Sequence, residues 1–251
     1  MNRSLILLFF ISLSTRAVSQ DKGLSDFGVE ISFSVDDEIF PKPWLTKEIN
    51  GKATPLDSSE FERSKAIIIK ALNKYPVDVI AKHLTKVYVV NRLEFYGLEY
   101  GGTNSTSVVY VANRGIDFGY SDFWIEQAFH HEFSSILFRN YSSLFDKKKW
   151  TSYNKGIRYG KSGTEALRLG KTSEQFDLEL NKRGILAQYG TASIEEDFNE
   201  FAQNLFLSNL GFWEIGETQK RIWNKTNQAI EFYNHIDSRF DVQYFRGISK
   251  K

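Results

Sequence analysis

At 251 residues, with 32 basic side chains against 31 acidic ones, the chain is long enough to bury a core and has no charge excess to draw it to nucleic acid. Aromatic residues make up 15% of it and prolines number four, a composition that excludes a disordered or fibrous protein. It has no cysteine, so disulfides, thiolate metal ligands and a lipid anchor on cysteine are excluded as well.

The N-terminus opens with Met1-Asn2-Arg3 and then an apolar run, Leu5 to Leu13, that is shorter than the roughly 20 residues a bilayer span needs. Ala17-Val18-Ser19 supplies small residues where a signal peptidase wants them. Residues 1–19 are therefore expected to be a secretory signal peptide, and residues 20–251 a single mature domain without a transmembrane segment. An exported protein, periplasmic or extracellular, follows from that reading.

Between residues 58 and 75, Phe61, Ala66, Ile67, Ile69 and Leu72 recur at helical spacing, with Ser58 or Ser59 as a cap and Pro76 as the stop. A short helix is expected over residues 77–84. Residues 86–95 are rich in β-branched and aromatic side chains and read as one strand, broken by Gly97, Gly101 and Gly102. Residues 107–113 read as a second strand, placed to pair with an extended substrate.

A helix is expected from about residue 122 to 138, with Trp124, Ile125, Ala128, Phe129, Ile136 and Leu137 giving it a wide buried face. The polar triplet His130-His131-Glu132 is out of character for such a core element. Residues 141–183 read as a surface excursion, 194–207 as a helix, and 217–238 as a final amphipathic helix.

Two imidazoles at i and i+4 with a glutamate between them form the H-E-x-x-H zinc signature, in which the glutamate activates a metal-bound water. Here His131 and Glu132 are present, but the i+4 position is Ser135, whose neutral hydroxyl is a poor zinc ligand. His130 is 100° around the helix from His131 and so cannot join it on one ion; it is expected to line the core. His83 is expected at the surface or at a helix cap. Downstream, Glu196 and Glu200 are i and i+4 and share one helical face.

These segments resemble the putative zinc-binding metallopeptidase family, which is gluzincin-like and similar to lethal-factor-type catalytic domains. Its pattern is H-H-E-F-x-H-I-L, then G-[FIL]-V-x-x-Y-[AG], then E-D-F-A-E. The matching segments here are His130-His131-Glu132-Phe133, Gly184 to Gly190, and Glu196-Asp197-Phe198-Asn199-Glu200. The resemblance implies an α+β zincin-like domain, a small sheet against the motif helix followed by a mainly helical C-terminal half. It further implies zinc on His131 and Glu196, Glu132 as general base, Tyr189 stabilising the oxyanion, Glu200 supporting a ligand histidine, and a peptide or protein substrate. Ser135 and Asn199 depart from the pattern. An exported zinc metallopeptidase with a weakened site, and a catalytically inactive pseudopeptidase acting as a binding or accessory module, are the two functions this sequence leaves open.

Overall fold

The computed structural model describes residues 24–248, and the expected signal peptide lies outside them. Among the described residues seven strands form: β1 (Glu30–Ser32), β2 (Lys52–Thr54), β3 (Lys86–Val90), β4 (Arg92–Phe95), β5 (Leu98–Tyr100), β6 (Gly102–Asn104) and β7 (Val108–Ala112). The helices, in order, are α1 (Leu24–Phe27), α2 (Phe61–Leu72), α3 (Val77–His83), α4 (Asp122–Asn140), α5 (Lys147–Ser152) and α6 (Gly163–Arg168). They continue with α7 (Leu178–Asn181), α8 (Ile194–Phe206), α9 (Leu210–Thr218), α10 (Lys220–Ile236) and α11 (Val242–Ile248). Among the described residues no helix is long and apolar enough to cross a membrane.

The main sheet runs β1-β3-β7-β6, parallel except for β6, which pairs antiparallel with β7; a second antiparallel sheet runs β2-β4-β5. Because side chains alternate along a strand, the main sheet serves two cores at once. Val87, Val89, Val109 and Val111 face the helices, while Tyr88, Val90, Tyr110 and Ala112 join Ile39, Phe40, Leu93 and Phe95 on the other side. Each fully buried valine contributes about 1.5–3 kcal/mol of transfer free energy, which fixes the register against a one-residue slip.

Three expectations need correction. The expected strand over residues 86–95 is two strands in different sheets: after β3 the chain turns at Asn91, whose N–H donates to Thr54 O, and β4 then pairs with β2. Residues 86–95 are strand-forming throughout, and only the polar pair Asn91-Arg92 marks the break, after which the inward-facing positions shift from 88 and 90 to 93 and 95. Second, β7 is hydrogen-bonded on both sides, by β3 and β6, and has no edge to offer a substrate; the exposed edge belongs to β6. Third, the helix expected over residues 217–238 is α10 with its start at Lys220: residues 217–218 end α9, Gln219 between the two helices has extended backbone (φ −114°, ψ 97°), and α11 follows as a further helix.

Helix α4 starts where Ser121 accepts from Trp124 N–H, and α8 starts where Ser193 accepts from Glu196 N–H. The two helices lie against each other along their length, and two buried ionic clusters hold them in place. On α4, Glu126 accepts from Lys70 Nζ at 2.9 Å and Lys74 Nζ at 2.5 Å, tying α4 to α2. Burial pushes the Glu126 carboxyl up, but His130 and Lys74 outweigh burial and hold it well below the usual carboxylate range. On α8, Asp197 Oδ2 accepts from Lys225 Nζ (2.5 Å), Trp150 Nε1 (2.7 Å) and Tyr159 Oη (2.5 Å), which ties α8 to α10, α5 and the segment after α5.

His130 is fully buried against Tyr75, whose hydroxyl lies 2.9 Å from Nδ1, and burial pushes the imidazole down to about 4. His83, expected at the surface, is buried instead, with Nε2 2.9 Å from Tyr141 Oη. His83 shares a buried face of α3 with Val79 and Ile80, so this polar residue in the last turn is carried inward and partnered there by Tyr141.

Candidate functional site

Along α4, the side chains Trp124, Gln127, Ala128 and His131 recur at three- and four-residue steps and line one cleft. Facing them, α8 presents Glu196, Asn199 and Gln203 on a single stripe. His131 is gripped from both nitrogens: Nδ1 lies 2.8 Å from Gln203 Oε1, and Nε2 lies 2.9 Å from Glu196 Oε2. Gln203 Oε1 is an acceptor only, so Nδ1 carries a proton. Burial opposes a second proton on the ring, but the bond to Glu196 and its charge outweigh burial and raise the imidazole to about 10.

Glu132 sits beside this pair under the backbone of β6. A Cβ on Gly102 would fall 2.8 Å from Glu132 Oε1, so only glycine lets the strand pass this close. Asn104 donates to Glu132 Oε2 at 2.5 Å, and Arg139 in turn bonds Asn104 Oδ1 and Glu195. Burial raises the Glu132 carboxyl to about 7, against the opposing pull of His131 and Asn104. Tyr189 lies with its ring 5.9 Å from that of His131, and burial and then Glu196 raise its phenol well above the ordinary range.

The structure thus brings His131, Glu132, Tyr189 and Glu196 into one cleft. Glu200 is elsewhere: its carboxylate accepts from Ala187 N–H (3.1 Å) and Gly190 N–H (2.8 Å), holding the turn that presents Tyr189. The histidine-supporting role expected of Glu200 belongs by contact to Gln203, seven residues beyond Glu196 and on the same stripe. That spacing is visible in the sequence, but a glutamine one turn past a motif carries no distinctive signal. Asn104 and the segment 160–164 had no signal at all.

Ser135 and Asn199 turn out to be partners. Asn199 Nδ2 donates to Ser135 Oγ at 2.7 Å, and Ser134 Oγ donates to Asn199 Oδ1 at 2.8 Å, with all three residues buried. The same amide nitrogen lies 3.4 Å from His131 Nε2. A protein zinc site needs three or four N, O or S donors. Here His131 Nε2 and the Glu196 carboxylate supply two, and between them and Ser135 stands an amide N–H, a hydrogen-bond donor with no lone pair to give. Among the described residues no three His, Cys, Asp or Glu side chains group to hold a metal. The residues present do not fit a zinc ion.

Segment 160–164 covers the pair. Gly163, the first residue of α6, rests so closely on Glu196 Oε1 and Tyr189 Oη that a Cβ would overlap both, and Thr164 Oγ1 is 3.0 Å from Tyr100 Oη on β5. The cleft has two openings, of about 620 and 660 Å³, which meet at Tyr100, Gly102, His131, Glu132 and Tyr189.

No family model and no curated protein matches this sequence. Among solved structures, a chain from Bacteroides caccae named "putative zinc-binding metallo-peptidase" is similar, with a TM-score of 0.56 over 90% of this chain and 86% of that one, at 13% identity. The chain has an α+β fold similar to that structure's. At 13% identity the likeness is one of architecture alone.

Proposed function

We propose that this metallopeptidase-fold protein binds an extended peptide in the α4–α8 cleft and does not hydrolyse it through zinc. The observation that carries this reading is the Asn199 N–H directed at Ser135 beside His131, which puts a donor where a metal site needs an acceptor. The edge of β6, which crosses the cleft over Glu132, offers unpaired backbone groups to a strand laid against it. The signal-like N-terminus supports export to the periplasm or beyond, where such a module meets peptides.

A hydrolytic reading is favoured by the meeting of His131, Glu132, Glu196 and Tyr189 at one point, with Glu132 as general base and Tyr189 at the oxyanion. It requires a third metal donor that the cleft does not provide. Incubating residues 20–251 with unfolded casein and zinc separates the two. The binding reading predicts no cleavage above that of Glu132→Gln, with casein retained by both proteins; zinc-dependent cleavage that Glu132→Gln abolishes overturns it.

A further inference from the structure

We infer that the opening beside the N-terminal half of α4 is a recess for an aromatic side chain adjoining a carboxylate, so that the bound peptide is an acidic, aromatic segment. The inference rests on the peptide-binding reading and adds the chemistry of the ligand.

Three aromatic residues build the recess. Trp124 packs edge-on to Tyr120, ring centroids 4.5 Å apart at 73°, and its indole presses on the β5–β6 turn so closely that a Cβ on Gly101 would fall 2.9 Å from the ring. The indole is therefore a fixed wall, not a mobile side chain. Phe123 lines the same opening and is 47% exposed, while Phe118, under the guanidinium of Arg114 at 4.9 Å, is 65% exposed. The Phe123 ring, left half in water in the wall of a concave aromatic site, is surface that an apolar ligand would cover, and Phe118 adds exposed apolar surface beside the lining residue Arg114.

Charge selects the ligand further. At the end of the recess away from His131, Arg92 and Arg114 share one carboxylate, Glu99, at 3.1 and 3.5 Å, leaving one positive charge in excess. At the other end Glu132 and Glu174 stand beside the protonated His131, which offsets their charge, so the arginine end is the one that draws an anionic group on the peptide. An aromatic side chain over Trp124 puts an adjacent residue within reach of that arginine pair.

The test uses two blocked hexapeptides, Gly-Ala-Asp-Phe-Ala-Gly and Gly-Ala-Phe-Asp-Ala-Gly, with Phe replaced by Ala or Asp by Lys in each, titrated calorimetrically into residues 20–251. One of the two orders should bind; losing the phenyl should weaken it by about tenfold or more, and Asp to Lys should weaken it as well. In the Arg114→Ala protein the preference for Asp over Lys should fall while the preference for Phe over Ala remains. Equal binding of Phe and Ala peptides, or an Asp preference untouched by Arg114→Ala, overturns the recess alone. Failure of every peptide to bind overturns the peptide-binding reading together with it.

Discussion

Ser135 and Asn199 should behave as one unit under mutation. Asn199→Ala removes two buried hydrogen bonds, to Ser134 and Ser135, and leaves a small void. At about 1 kcal/mol per bond plus the void, the cost is about 2–4 kcal/mol, or about 4–16 °C in Tm at 2–4 °C per kcal/mol. Ser135→His alone forces an imidazole against the Asn199 amide, an overpacking cost of about 1–3 kcal/mol. Made together, the imidazole enters the volume the amide has left, so the double variant should be more stable than the sum of the singles by about 1–3 kcal/mol. It should also be the one variant that keeps zinc, because only there do three donors, two imidazoles and the Glu196 carboxylate, meet without an intervening N–H. Denaturant melts of the four proteins, with zinc content measured after dialysis, read both effects. Additive stabilities, or zinc held as well by Ser135→His alone as by the double variant, would refute the argument.

Other consequences are as direct. Lys225→Met strands the charge of Asp197 in the interior and should cost about 3–5 kcal/mol in urea melts, whereas Lys225→Met with Asp197→Leu should recover most of it; equal losses in both would contradict the pairing. His130 is buried neutral with its pKa lowered from 6.5 to about 4, so the unfolded chain takes up the proton first and stability is lost as pH falls from 6.5 to 4, by up to about 3 kcal/mol. His130→Gln should flatten that slope, and a slope it leaves unchanged would assign the loss to other groups. Gly163→Ala should displace segment 160–164 from Glu196 and Tyr189 and speed amide hydrogen exchange of that segment, followed by mass spectrometry; an unchanged rate would mean Gly163 does not seat the segment on the pair.

The long amphipathic helices were legible in the sequence because burial imposes a 3.6-residue period: α2, α4 and α8 lie within a few residues of where their apolar spacing puts them. The meeting of His131 and Glu196 was legible from motif order. Short strands were not: β1 and β2 have three residues each, too few for a period to show, and the β3–β4 break is marked only by the polar pair Asn91-Arg92 inside a strand-forming stretch. The role of Asn199 was hidden for a different reason. Read singly, it is a tolerable change on a polar helix face, and only the distance to Ser135 across two helices shows that the two residues satisfy each other.

An amide N–H and a serine stand beside His131 and Glu196, where a third metal donor would have to come. Equilibrating residues 20–251 with a zinc excess, dialysing against metal-free buffer and counting zinc per chain tests the consequence most directly. The content should be far below one; close to one zinc per chain surviving dialysis would mean that the cleft holds the metal despite the Asn199 N–H.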